Sequence, residues 1–158
     1  MTATFSARTE VATVGVVGLG DTGLPLALSL ADAGTLTVGL DADPARIAAL
    51  RIGESYVPQV STDALEATAD WFEATSDPTL LAGLDSYVIC LPVPVGPDGA
   101  ADLRHVMGAA ELLGPLLRPG AAVEVRSHVP PGAITLLAAR IAAASGLRPG
   151  VDFRITGA

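Results

Sequence analysis

The chain has 158 residues, half of them apolar and 16% charged, with a formal net charge of −8. That length fits one domain with a substantial core, and that composition excludes intrinsic disorder. All nine basic residues are arginines and they form no run, which excludes a nucleic-acid or anionic-membrane surface, and no apolar run reaches the ~18–20 residues of a membrane helix.

Residues 1–10 read as an N-terminal tail without the long apolar stretch of a signal peptide, so the expected location is the cytoplasm. Residues 11–158 read as the domain. Val11–Val17 (VATVGVV) is apolar, rich in β-branched residues and predicts a strand. A glycine turn follows, then a helix over Gly23–Ala33 with Gly34 just past its end. Leu36–Leu40 predicts a second strand. Asp43-Pro44 supplies an N-cap and a proline at the first helical position, and the helix runs to Arg51.

After a loop over Glu54–Ser61, a short helix is expected over Thr62–Ala69, capped by Thr62 or Asp63. Trp71–Ala74 predicts a third strand, and Asp77-Pro78 a short helix through Ala82. Ser86–Leu91 (SYVICL) is a buried strand, and Pro92–Gly99 a loop. Asp102 caps a helix to Leu113, with Val106, Ala109, Ala110 and Leu113 at helical spacing. Ala121–Val125 is a strand, Ala133–Ala144 a helix ended by Gly146, and Asp152–Thr156 a last strand.

Strands and helices alternate throughout. This predicts an α/β, Rossmann-type, doubly wound parallel sheet of six strands in order 3-2-1-4-5-6, with helices on both faces. Ligands of such sheets bind at the carboxyl ends of the strands, beside strand one. The site is therefore expected in the loops after Val17, Leu40, Leu91 and Val125.

Gly18-Leu19-Gly20-Asp21-Thr22-Gly23 matches G-x-G-x-x-G between a strand and a helix. Gly18 permits the tight turn, Gly20 lets backbone approach a pyrophosphate, and Gly23 lets the helix pack close. The helix N-terminus adds free N–H groups and partial positive charge. Asp41, about twenty residues on, stands where a ribose-binding carboxylate belongs. A carboxylate there accepts from ribose hydroxyls and repels a 2′-phosphate, so NAD is favoured over NADP. Arg46 either lies over the adenine or offsets that repulsion. Asp21 brings a carboxylate into the phosphate loop; it either weakens cofactor binding or turns away to cap the N–H of Gly23 or Leu24, the favoured reading.

These residues carry a resemblance. VGVVGLGDTGLPLALSLADAG (14–34), GLDADPARIAALRIGESYVPQVS (39–61), YVICLPVPVGPDGAADL (87–103) and SHVPPGAI (127–134) resemble the N-terminal NAD-binding domain of the UDP-glucose/GDP-mannose dehydrogenase family. The resemblance implies oxidation of the C6 alcohol of a UDP- or GDP-sugar to the carboxylate, with two NAD as hydride acceptors and a covalent thiohemiacetal between the two transfers. Carried over by position, residues 18–23 cradle the pyrophosphate and Asp41 and Arg46 hold the adenosine end. Leu91, Pro92, Val93, Ser127 and His128 lie beside the nicotinamide.

There are departures from the family pattern. Val93 replaces the threonine of Pro-Thr-Pro, and Arg126-Ser127-His128 stands for Glu-Ser-Thr. The family's catalytic lysine, cysteine nucleophile, central dimerising helix and nucleotide-sugar domain are expected beyond Ala158. The chain by itself is therefore expected to be inactive, and the usual homodimer lacks its helix here.

Among the residues present, His128 follows strand five, and an imidazole there suits acceptance of the alcohol proton as hydride leaves; otherwise it packs at the Pro130–Gly132 turn. Cys90 is expected to be a packing thiol with no part in a disulfide or zinc site. His105 reads as a surface residue. Arg126 pairs either with a phosphate or with a neighbouring acid, and Ser127 either bonds the cofactor or caps its turn. Two other readings stand beside the first: a stand-alone, non-catalytic dinucleotide-binding module or degenerate paralogue, and a β-hydroxyacid dehydrogenase-like enzyme. The Pro-x-Pro and Val-Pro-Pro-Gly elements oppose the last.

Overall fold

A computed structural model describes residues 11–157; the N-terminal tail assigned to residues 1–10 lies outside the described residues. Six parallel strands form one sheet in the order β3-β2-β1-β4-β5-β6, as expected. They are β1 (Thr13–Val17), β2 (Leu36–Leu40), β3 (Phe72–Thr75), β4 (Ser86–Ile89), β5 (Ala121–Val125) and β6 (Phe153–Gly157). The helices are α1 (Gly23–Asp32), α2 (Pro44–Arg51), α3 (Thr62–Ala67), α4 (Arg104–Leu113) and α5 (Ala133–Ser145). Among the described residues no helix is long and apolar enough to cross a membrane.

The sheet is covered on both faces, and so its central strands are apolar on both. Val14 and Val16 of β1 meet Leu24, Ala27 and Leu28 of α1, Ile47 and Leu50 of α2 and Leu65 of α3 in one core. Val17, Tyr87, Ile89, Val123 and Val125 face the other way, onto Val106, Ala110 and Leu113 of α4 and Leu137 and Ile141 of α5. The helix face predicted over 106–113 is thus buried. Tyr87, the largest fully buried side chain, satisfies its hydroxyl by donating to Leu81 O (2.6 Å) and accepting from Leu84 N–H (3.1 Å).

Several ends differ from expectation for local reasons. The cap of α3 is Ser61, whose Oγ accepts from Ala64 N–H at 3.0 Å; Thr62 and Asp63 are already helical. The segment after Asp77 is a single 3₁₀ turn, Pro78–Leu81, because Ala82 returns to extended backbone. Asp102 lies one residue before the N-cap of α4, which is Leu103, and holds Arg104 N–H from there (3.0 Å). The cap of α2 is as predicted, Asp43 accepting from Ala45 N–H at 2.9 Å ahead of Pro44.

β1 pairs with β2 on one side and β4 on the other, and the helices that follow those strands lie on opposite faces of the sheet. A crevice must open at their carboxyl ends. The backbone ladder continues into the loops bounding it: Gly18 N–H donates to Leu40 O, Cys90 N–H to Val17 O, and Arg126 N–H to Ile89 O (2.8, 2.8 and 2.9 Å).

Candidate functional site

The crevice is a cleft of about 700 Å³ at that edge, within the usual range for small-molecule sites. Gly18, Gly20, Asp21 and Thr22 form one wall; Asp41 and Arg46 stand at one end; Leu91, Pro92, Val93, Ser127 and His128 line the far side. Four separate loops expected to meet do meet. Leu19 and Gly23, also expected at the site, do not line it. Both are buried: the Leu19 side chain lies in the core, and Gly23 faces the loop behind it.

Gly18 and Gly23 are required for different reasons. Gly18 has φ +96°, a left-handed backbone open to glycine alone at little cost. A Cβ on Gly23 would sit 1.7 Å from Gly18 O, so only a bare Cα lets α1 start this close to β1. A Cβ on Gly20 would meet nothing nearer than Arg46 Nη1 at 3.7 Å. Gly20 therefore presents bare backbone to the cleft.

The loop's hydrogen bonds decide what it can bind. Leu24 N–H is the first in α1 to find a backbone acceptor, Gly20 O at 3.1 Å. Among the described residues, the N–H groups of Gly20, Asp21, Thr22 and Gly23 have no acceptor. Four successive unpaired donors at a helix N-terminus make an anion site. The expected cap by Asp21 is not formed. Thr22 occupies the N-cap position, no side chain bonds the first turn, and Asp21 is exposed on the cleft wall. Its carboxylate therefore leaves the helix donors free.

Asp41 is buried at the end of β2, and its carboxylate is already engaged. Oδ2 accepts from Leu19 N–H (2.9 Å) and Arg46 Nη1 (3.1 Å), and Oδ1 accepts from Asp43 N–H (2.9 Å). A carboxylate offers about four lone-pair directions, so about one remains for a ligand hydroxyl. Arg46 is half-exposed beside it, its guanidinium carbon 5.4 Å from the centre of the Tyr56 ring.

Arg126 pairs with Glu124 (2.9 Å), the neighbouring-acid alternative, while lining the cleft. Ser127 lines the cleft, and its Oγ accepts from Leu91 N–H at 3.0 Å, which ties the loops after β4 and β5 together. Cys90 lies just past β4 on the cleft floor. Burial pushes its thiol up to about 11, against the weaker pull of Arg126, so it is no nucleophile near neutral pH.

His105, Gly108, Ala109 and Leu112 of α4, with Ser76 and Pro78 after β3, also line the cleft. The α4 residues recur every three or four positions, a stripe beside the buried one. That spacing was visible in the sequence, but it does not say that the stripe faces a cleft. Tyr56 falls within the predicted loop over Glu54–Ser61, and no local pattern marks it, yet its hydroxyl donates to Leu19 O at 2.6 Å.

The sequence profile of the UDP-glucose/GDP-mannose dehydrogenase family, NAD binding domain, matches residues 12–157. The chain belongs to the UDP-glucose/GDP-mannose dehydrogenase family. A UDP-N-acetyl-D-mannosamine dehydrogenase of Salmonella typhi is 30% identical over 144 residues, covering 89% of this chain and 33% of that protein. The structure of a UDP-D-ManNAc dehydrogenase from Pyrococcus horikoshii superposes with a TM-score of 0.87 at 28% identity, over 92% of this chain and 35% of that one. A UDP-glucose dehydrogenase from Pyrobaculum islandicum superposes with a TM-score of 0.83 at 31% identity, over 94% and 35%. This chain thus spans about a third of the length of these family members, and the part it matches is their NAD-binding domain.

Proposed function

We propose that the cleft binds NAD, with its pyrophosphate on the free N–H groups of Gly20–Gly23 and its adenosine ribose at Asp41. The row of unpaired donors at the start of α1 carries this reading. Gly18, Gly20, Thr22 and the buried Leu19 and Gly23 shape that row. Asp41 offers its remaining lone pair to one ribose hydroxyl, and a second becomes available when Arg46 turns outward. A 2′-phosphate would meet the Asp41 carboxylate, so NAD is preferred over NADP; Arg46 moderates the preference. Leu91, Pro92, Val93, Ser127 and His128 flank the nicotinamide.

Bound NAD would supply the hydride acceptor. In the whole protein the reaction is oxidation of the C6 alcohol of a UDP- or GDP-sugar to the carboxylate, in polysaccharide precursor synthesis in the cytoplasm. His128, at the carboxyl edge of the sheet, takes the alcohol proton. The sugar-nucleotide contacts belong to the remaining two-thirds of such proteins, so this chain alone is inactive. Titration calorimetry with NAD, NADP and a UDP-sugar tests the reading. NAD binds, NADP binds more weakly, and the UDP-sugar adds nothing. No NAD binding at millimolar concentration refutes it, and NADH formation by the isolated chain refutes the division of labour.

Asp21 favours a second reading. Its exposed carboxylate beside the phosphate donors weakens dinucleotide binding, as befits a non-catalytic binding module. Millimolar affinity for NAD, restored by Asp21→Tyr, is the result that selects it.

A further inference from the structure

Tyr56 lies outside the cleft lining, yet its hydroxyl donates to the Leu19 carbonyl at 2.6 Å, from 37 residues along the chain. Leu19 N–H is held at the same time by Asp41 Oδ2, at 2.9 Å. Arg46 closes the circuit, bonding that oxygen at 3.1 Å and lying over the Tyr56 ring. Peptide units are rigid planes in which C=O and N–H point in opposite directions. Asp41 therefore fixes the Gly18–Leu19 plane through its N–H, and Tyr56 fixes the Leu19–Gly20 plane through its C=O. With Leu19 O drawn toward Tyr56, the Gly20 N–H is aimed the other way.

We propose that Tyr56 is a positioning residue for the dinucleotide, holding the Leu19–Gly20 peptide so that the Gly20 N–H meets the pyrophosphate. The proposal rests on the dinucleotide reading above. Glycine on both sides of Leu19 leaves this turn with more backbone freedom than any other side chains would. Two long-range side-chain bonds on one residue remove that freedom before the ligand arrives, which lowers the ordering cost of binding. Burial, and then the Asp41 carboxylate, push the Tyr56 phenol up to about 12, so its proton remains available for donation throughout the physiological range.

Tyr56→Phe keeps the ring under Arg46 and deletes only the hydroxyl; Tyr56→Leu deletes both. The expected result is that Tyr56→Phe binds NAD about tenfold more weakly, the worth of one aligned hydrogen bond. Adenosine, which carries no phosphate, keeps its affinity within about twofold. Hydrogen exchange at the Leu19 amide of the ligand-free chain becomes faster in the same variant. Unchanged NAD affinity in Tyr56→Phe with loss only in Tyr56→Leu overturns the proposal, because Tyr56 then merely packs against Arg46. Equal losses for NAD and adenosine overturn it as well. If the unmodified chain binds no NAD, the dinucleotide reading fails by itself. Leu19 exchange still decides the clamp, and unchanged exchange in Tyr56→Phe refutes it.

Discussion

Substituting Gly23 by alanine is the sharpest test of how this fold builds its site. The added methyl would lie 1.7 Å from Gly18 O, 2.8 Å from Gly18 C and 3.2 Å from Cys90 Cβ. Ordinary contacts at carbon lie near ~3.5 Å, so α1 must withdraw from the loop by about 1.5–2 Å. Neither neighbour is the end of a flexible side chain; the first is backbone of the tightest turn in the loop. The helix cannot withdraw freely, since Leu24, Ala27, Leu28 and Ala31 are buried beneath it. Overpacking of this kind costs about 1–3 kcal/mol, and a backbone obstacle places it at the upper end. The better helix propensity of alanine returns at most about 1 kcal/mol, less at a first helical position. The net loss of about 2 kcal/mol corresponds to a fall in Tm of roughly 4–8 °C for a domain this size. The same displacement moves the free N–H row, so NAD affinity falls by at least about tenfold. Thermal unfolding and calorimetry on Gly23→Ala measure both. A Tm and an NAD affinity both indistinguishable from the parent would refute the argument that close approach is why a glycine stands here.

Other consequences follow from the polar residues of the cleft. Asp41→Ala strands the Leu19 N–H and frees Arg46; it lowers stability by about 1–3 kcal/mol and narrows the NAD-to-NADP affinity ratio, seen in urea unfolding and paired titrations. Arg46→Ala has the opposite effect on that ratio, widening it several-fold, because the Asp41 charge is then unshielded; an unchanged ratio would remove Arg46 from cofactor choice. Asp21→Asn tightens NAD binding by roughly threefold to tenfold at low salt, an advantage that shrinks near 0.5 M salt as the charges are screened; no gain at low salt would mean the carboxylate does not sense the pyrophosphate. With its thiol pushed up to about 11, Cys90 is protonated at pH 8, and its alkylation by iodoacetamide should rise about tenfold per pH unit from pH 7 to 10. Saturating NAD should slow it, since Cys90 lines the cleft; a rate that levels off near pH 8 would contradict the raised thiol of this half-buried cysteine.

The order of strands and helices, and with it the sheet order and the place of the cleft, follows from the chain read in one dimension. Alternating apolar strands and capped helices fix the parallel sheet, and right-handed crossovers fix its winding. The turn at Gly18 and the close packing at Gly23 were legible because those roles are local and steric, and the place of Asp41 because β2 ends there. The family resemblance was legible for the same reason, since its motifs sit in those loops.

What the chain could not disclose is which partner each polar group takes among neighbours distant in sequence. Asp21 had a local helix cap within reach and leaves it; Ser127 bonds Leu91 from 36 residues away. Tyr56 and Asp41 close on Leu19, from 37 and 22 residues away, only because the loops after α2 and β2 fold over the same glycine turn. His105 joins the cleft because packing brings one side of α4 to it, while its own sequence context reads as surface. Periodicity and capping are written within a few residues of themselves, and so the sequence determines the elements and their order. Hydrogen-bond partners across 20 to 40 residues depend on the register and twist that packing imposes, and tertiary structure alone decides them.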